Sequence, residues 1–487
     1  MTGTQLPPGE PLFPTERDPR LRLLIPMIVA FAFLMEQLDS TIITTAIPTM
    51  ARDLDTTLLR MNLAVTAYVL TLAVFIPVSG WLADRFGARR IFVLALLLFS
   101  ASSALCGLVT DLPELVAARC LQGVGGAMMT PVGRLILLRS FPRSQLVTAM
   151  LYMSLPALIG PVIGPLLGGF LTSYASWRWI FYINIPFGLL GTFLAPRYIG
   201  QAPAGKPGRF DFLGFMMVGT GLGLLQFGIE SLGRPILGPA MIAAILAVAL
   251  ILLLGFVRHA RRQPAPAVDL TLFRIRTFQI GTLVGGLCRV GINGVPFLLP
   301  LMLQVGVGLS PVQSGSLTFA LALGAVAIRP ISTHALRWLG FDRVLLWSAV
   351  ASALLIAGFA LMEPGMPSWV IVGYIVLFGF VRSAQFMSSN TLSYADTPAE
   401  KLSRATSLGG VLQQLSVSFG VSASALLLGL VKGSKDHLTL ADFHEVFLLV
   451  AVIPLIAAVG FLQLRPGDGA AVSGHRAAAP RSDGGVR

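Results

Sequence analysis

Fourteen stretches of mostly apolar residues run through this chain of 487 residues, each long enough to cross a bilayer core as a helix. They cover 23–49, 61–83, 91–110, 112–138, 146–172, 178–197, 211–230, 236–257, 277–304, 311–336, 344–362, 367–392, 404–431 and 444–464. Composition agrees with a lipid setting. Hydrophobic residues make up 55% and charged residues only 12%, against about 25% charged in a soluble protein. A soluble enzyme, a disordered chain and a nucleic-acid binder are thereby excluded. The net charge of +13 is spread thinly between apolar runs, with no basic stripe. Barrel strands would alternate polar and apolar over about 10 residues, and these runs do not. Cys106, Cys120 and Cys288 all lie inside apolar runs, so neither a disulfide framework nor a metal site is expected. The fold class expected is an all-α polytopic membrane protein. No cleavable signal peptide is expected before the first run, because Met1 to Arg22 is long, polar and Pro-rich.

Orientation follows from the basic residues in the connections. The N-terminus, the even-numbered loops and the C-terminus hold 24 of the 35 lysines and arginines, and the odd-numbered loops hold 6. That split places both termini in the cytoplasm, which an even number of spans also requires. Two Pro/Gly-rich connections, Gly200 to Arg209 and Arg258 to Asp269, divide the chain. The expected order is a cytoplasmic segment 1–22, a six-helix bundle 23–199, a linker region 200–269 with two lipid-facing helices, a second six-helix bundle 270–464, and a disordered cytoplasmic tail 465–487. A short internal repeat aligns Gly87 and Arg90 with Gly340 and Arg343, while Arg337 stands where Asp84 stands. Parallel six-helix repeats are one transporter architecture.

Three motifs carry chemistry. Between the second and third spans lie Gly80, Asp84, Arg85, Gly87, Arg89 and Arg90. Glycines permit a tight turn and close helix approach. An acid beside basic residues at helix ends suits a gate held by charge pairs; an ordinary basic loop with an N-cap is the alternative. On the fourth span, Arg119 precedes Gln122, Gly123, Gly125 and Gly126. An arginine there needs a partner or a cavity, because lipid does not solvate it. On the fifth span, Gly160, Gly164, Pro165, Gly168 and Gly169 make a bendable helix, either a face for close packing or one for a rocking bundle.

In this order and on these spans, the motifs resemble the signatures of the major facilitator superfamily. The first span adds Leu38-Asp39-Ser-Thr41-Ile-Ile-Thr44-Thr-Ala46-Ile-Pro48, and Trp177-Arg-Trp179 runs on to Asn184 and Pro186. Both are similar to the fourteen-span drug:proton antiporter branch, nearest the multidrug-resistance proteins of the EmrB/QacA group. The likeness runs from about Leu23 to Leu464. It implies two six-helix bundles plus two extra central helices in the cell (inner) membrane, a proton gradient as energy source and no cofactor. Thr44 stands where the family's usual asparagine would be, so no binding role is given to it.

Ionisable residues inside spans are candidates for function. Glu36 and Asp39 are the clear interior acids, three apart on the first span and hence on nearly one face. Two carboxyls so close in low dielectric do not ionise together easily, which suits a proton carrier. The Arg119 side chain reaches the depth of Asp39. The expectation is that protonation weakens this pairing and shifts the inward/outward equilibrium; a permanent structural ion pair is the alternative. The resemblance supports Asp39 and Arg119 and leaves Glu36 to rest on its chemistry.

Five arginines fall inside spans: Arg119, Arg134, Arg289, Arg329 and Arg382. Snorkelling accounts for Arg134 near a helix end but not for Arg289 or Arg382 near mid-span. Arg134, Arg289, Arg329, Arg382, Gln385 and Gln413 are expected to line the substrate cavity. The expected activity is proton-coupled export of drugs or metabolites by a monomer. Because bases outnumber acids in the interior, an exporter of organic anions or metal chelates is the alternative. No His-Glu-x-x-His, nucleophile–base set, nucleotide loop or filter motif supports an enzyme, an ATP-driven pump or a channel.

Overall fold

The computed structural model describes residues 20–200, 208–232, 237–433 and 438–475, and among these no strand occurs. The expected N-terminal segment, most of the Gly200 to Arg209 linker and residues 476–487 lie outside the described residues. The first helices are α1 (Leu21–Asp53), α2 (Leu58–Phe86), α3 (Ala88–Leu108), α4 (Leu112–Ser140) and α5 (Leu146–Tyr174). A single turn at Trp179–Tyr182 leads into α6 (Asn184–Tyr198), and α7 (Phe212–Ser231) and α8 (Pro239–Ala260) follow. Next, α9 (Gly285–Leu301) is flanked by π-helical turns at Ile280–Val284 and Met302–Gly306. The chain continues as α10 (Pro311–Thr318), α11 (Ala320–Ala327), α12 (Arg329–Gly358), α13 (Ser368–Ala395), α14 (Leu402–Lys432) and α15 (Leu440–Phe461).

Local chemistry sets several helix starts. Thr57 accepts a hydrogen bond from the Arg60 amide at 3.3 Å and opens α2, and Asp111 accepts from Glu114 at 2.8 Å and opens α4. Gly87 at φ 90° separates α2 from α3, and Gly340 at φ 78° breaks α12. The two glycines aligned by the sequence repeat therefore share one backbone role.

Twelve helices among the described residues are long and apolar enough to cross a membrane, where fourteen were expected. The expected fifth span falls in α5, parts of which lie outside the described side chains. The expected tenth is not one helix. It is segmented at Phe319 and Ile328, leaving a shorter apolar stretch, Gln313–Ala327. Pro330 has no N–H to give the Val326 carbonyl, which accounts for the second break.

In the first half, α1 packs on α5, α6 and α4, α2 packs on α4, and α3 packs on α4 and α6. In the second half, α9 packs on α14 and α15, α12 on α13 and α15, and α11 on α13. The halves meet where α14 lies on α2 and α4, and where α5 lies on α13 and α11. Of the two central helices, α8 lies at the surface, with Leu250, Ile251 and Leu254 exposed. By contrast α7 is wedged against α2 and α14, and its buried Gln226 donates to Ser418 at 2.5 Å. The tail also departs from expectation. Instead of disorder from Arg465, residues 465–475 fold back, with a turn at Ala470–Ser473 against Arg143–Gln145 and Val472 buried. Positive φ at Gly469 and Gly474 makes that turn possible.

Close packing in the second half relies on two facing glycines. A Cβ on Gly324 would stand 2.1 Å from the Val376 carbonyl oxygen, and one on Gly379 would stand 2.5 Å from that of Leu321. We expect Gly324→Val to destabilise the fold by about 1–3 kcal/mol, as overpacking does. Thermal unfolding in detergent checks this, and an unchanged midpoint contradicts it.

The end of the molecule that carries the second-to-third loop is tied by two aspartates. Asp211 accepts from the Gly214 and Ala267 amides at 2.9 and 3.1 Å and lies 2.8 Å from His259. Asp269 accepts from Thr271 and Arg404 and faces Lys401. Burial pushes both carboxyls up. For Asp211 the bonds with His259 and the two amides outweigh it; for Asp269 the Thr271 hydroxyl and amide, Lys401 and Arg404 do. Both are held below the usual aspartate range. A carboxylate held low contributes stability that is complete above about pH 4 and is lost as pH falls through its folded value. Exchange protection of the Ala267 and Thr271 amides, corrected for intrinsic rate, should be flat from about pH 7 to 4 and fall below that. A fall between about pH 7 and 5 contradicts this assignment.

Candidate functional site

The Asp111 cap fixes where α4 begins, and so sets Arg119 two turns inside it. Asp39 projects from α1 onto the same level. Its Oδ2 accepts from Arg119 Nη1 at 2.6 Å, and both side chains are almost fully buried, at 1% and 0% exposure. Asp39 Oδ1 accepts from Gln122 Nε2 at 2.7 Å and from Asn184 Nδ2 at 3.3 Å. Arg119 also donates to Gln122 Oε1 at 2.8 Å and to the Ala64 carbonyl at 3.4 Å, and it stacks 4.2 Å over the Tyr68 ring. Asn184 is itself held by Ser103 at 3.1 Å. One carboxylate thus collects three donors from α4 and α6. Such a pair is compensated only while both charges are present. Arg119 Nη2 and the Tyr68 hydroxyl, both buried, have no partner among the described residues. A proton arriving at Asp39 would remove the charge these donors are arranged around.

Glu36, one turn along α1, does not join this network. It accepts a hydrogen bond from Thr130 on α4. Thr130 and Arg134 lie four apart and share a face of α4. Arg134 in turn crosses to the other half of the molecule: it donates to the Tyr394 hydroxyl on α13 at 2.8 Å and to Gln413 on α14 at 2.7 Å. The glycines of α4 make room for this stack. A Cβ on Gly123 would lie 2.7 Å from the Tyr68 carbonyl, and one on Gly125 would lie 2.8 Å from the Phe99 amide.

The other expected cavity residues do not join this hydrogen-bonded set. Arg289 is buried on α9, with its guanidinium 5.8 Å from the Phe386 ring. Arg382 is half-buried on α13. Gln385 faces the other way and accepts from Ser348 on α12, inside the second half. The side chains of Arg329 and Pro165 lie outside those described.

The residues around the second-to-third loop are drawn together only in part. Asp84 accepts from Arg139 at 3.1 Å and from Ser403 on α14. Ser79 and Ser407 hydrogen-bond at 2.8 Å. A Cβ on Gly80 would be 2.6 Å from the Ser403 carbonyl. Arg85 and Arg90 are exposed, and Arg89 instead donates to the Pro196 and Ile199 carbonyls. The fifth-span glycines serve one helix. Cβ atoms on Gly160, Gly164 and Gly168 would fall 2.6 Å from Gln37, 2.1 Å from Thr41 and 2.4 Å from Thr45, so α1 sits in their groove. Gly169 faces open space. Thr130, Tyr394 and Ser403 are missing from the sequence reading, as are the pairing of Arg139 with Asp84 and roles for Gln122 and Asn184. Only Thr130 left a signal, as a hydroxyl one turn from an interior arginine.

Residues 29–421 match the family model described as Major Facilitator Superfamily. The chain is similar to the protein named "Putative multidrug resistance protein MdtD" of Pectobacterium atrosepticum, at 41% identity over 446 residues, covering 89% of this chain and 94% of that one. It is also similar to the protein of that name in Escherichia coli, at 39% over 450 residues, covering 91% and 94%. Two solved structures share the fold at 15% identity. The human organic anion transporter MFSD10 gives a TM-score of 0.65, covering 90% of this chain and 99% of that one. The proton:xylose symporter XylE gives 0.64, covering 93% and 98%.

Proposed function

The chain belongs to the major facilitator superfamily, and from that premise we propose that it is a proton-coupled exporter of drugs or metabolites. The observation that carries this reading is the buried Asp39–Arg119 pair, whose 2.6 Å contact unites α1 and α4 at a carboxylate a proton can neutralise. The named MdtD relatives support the export of drugs. In this reading the chain spans the membrane fourteen times, with α5 and the segmented α10–α11 unit as the two further spans, and both termini are cytoplasmic. Two six-helix bundles, 23–199 and 270–464, alternate around a central site, and 200–269 carries the two extra helices.

Among the described residues, the hydrogen bonds joining the two bundles directly run through Ser79–Ser407, Asp84–Ser403, Arg134–Tyr394 and Arg134–Gln413. All lie toward the end with the basic loops. They supply the cytoplasmic gate that alternating access requires. Proton release from Asp39 strengthens the Arg119 pairing, and proton uptake frees the network to rearrange. The test uses everted membrane vesicles with an imposed inside-acid gradient. We expect uptake of ethidium or of 2-naphthoate that stops when nigericin collapses the gradient. Gradient-independent flux of both, or flux of neither, overturns the reading.

A further inference from the structure

Arg289 is 3% exposed, yet its Nε and Nη1 have no hydrogen-bond partner, and it forms no ion pair with a carboxylate among the described residues. Leaving a buried charge in that condition is costly by several kcal/mol in general. Its surroundings share the character. Arg134 and the Tyr394 hydroxyl stand within electrostatic reach of it. Arg134 likewise has no ion pair within 4.0 Å among the described residues and its buried Nε is unused, with the Glu36 carboxylate of its own bundle at longer electrostatic range. On α13, Asn390 lies four residues from Phe386 and four from Tyr394, so all three share a face. Arg289 meets the Phe386 ring on that face at 5.8 Å, and one turn along it the buried Asn390 Nδ2 has no partner among the described residues. Two guanidiniums and an amide donor therefore converge where the bundles meet, with an aromatic ring at the edge. The Gln413 and Tyr394 acceptors are already engaged by Arg134.

We propose that Arg289, Arg134 and Asn390 form an oxyanion-binding subsite that takes the carboxylate, or a chemically equivalent oxyanion, of an organic anion or zwitterion. This rests on the transporter reading above and names its substrate class. A planar guanidinium offers paired donors matched to the two oxygens of a carboxylate. The Phe386 ring offers a surface for the apolar part of the compound. Because Arg134 comes from one bundle and Arg289 and Asn390 from the other, an anion seated here bridges both. It also competes with the Tyr394 and Gln413 acceptors for Arg134, which links occupancy to the interaction that holds the bundles together.

The test is equilibrium binding to the purified full-length chain in detergent, with no proton gradient. The probes share one ring system: 2-naphthoate, 2-naphthamide and 2-naphthylmethylammonium. Saturable binding of 2-naphthoate, with the amide and the ammonium weaker, is the expected order. Arg289→Gln should weaken 2-naphthoate at least about tenfold, and Arg289→Lys should restore part of that loss. Asn390→Ala is the second variant if Arg289→Gln fails to fold, with a smaller loss expected. Equal or tighter binding of the ammonium, no saturable 2-naphthoate binding, or unchanged affinity in both variants overturns the proposal. Gradient-driven ethidium flux alongside any of those outcomes sinks this subsite while leaving proton-coupled export standing.

Discussion

Asp39→Asn is expected to bring gradient-driven flux down to background, about a hundredfold or more below the unsubstituted chain. The substitution keeps the shape of the side chain and deletes the charge that Arg119, Gln122 and Asn184 surround. Two consequences follow. Arg119 is left buried without its counter-charge, a loss of about 3–5 kcal/mol when one partner of a buried pair is removed. The site also no longer has two protonation states, so a proton gradient has nothing to act on. A lowered unfolding midpoint in detergent should accompany the lost flux. Glu36→Gln is expected to have a milder effect, because among the described residues Glu36 hydrogen-bonds the Thr130 hydroxyl and forms no salt bridge. Coupled flux within about twofold of the original in Asp39→Asn would reassign the pair to a purely structural role.

Gly80→Val should open the gate at the basic end. The added side chain begins 2.6 Å from the Ser403 carbonyl and 2.7 Å from Ser407 Oγ, so α2 and α14 must part. Parting them breaks the bond between Ser79 and Ser407 and the one from Ser403 to Asp84. Overpacking of this kind costs about 1–3 kcal/mol. Two conformations of a carrier differ by only a few kcal/mol, so that penalty is enough to change which state dominates. Transport should fall about tenfold or more. A cysteine placed at Ser407 should become reactive to a membrane-impermeant maleimide from the cytoplasmic side. Unchanged labelling and unchanged flux together would show that this contact does not hold the closed gate.

Much of this architecture was legible because lipid imposes simple rules. Helix length and hydropathy announce spans, and Gly87 and Gly340 announced turns that only glycine adopts readily. The pairing of Asp39 with Arg119 was legible for the same reason: an interior charge needs a partner, and few were on offer. The segmentation at Phe319 and Ile328 was not, since both residues keep near-helical backbone angles and the surrounding sequence is uniformly apolar. Contacts between the halves were hidden as well. Arg134 reads as a snorkelling residue near a helix end, but it reaches Tyr394, which is 260 positions away, and no spacing rule connects the two. Likewise Arg139 was counted with the residues that set orientation, although it also holds Asp84. Arg85 is the next residue to Asp84 on α2 and so does not share its face, and Arg90 lies beyond the Gly87 turn; both are exposed.

The most direct test of proton-coupled export records both movements at once. Everted vesicles containing the chain and a pH-sensitive dye are given ethidium or 2-naphthoate, and substrate entry and proton exit are followed together. The expected result is opposed fluxes in a fixed ratio, with substrate entry and substrate-dependent proton exit both lost with nigericin and both absent in Asp39→Asn. Substrate entry that continues at full rate without any proton exit would contradict it.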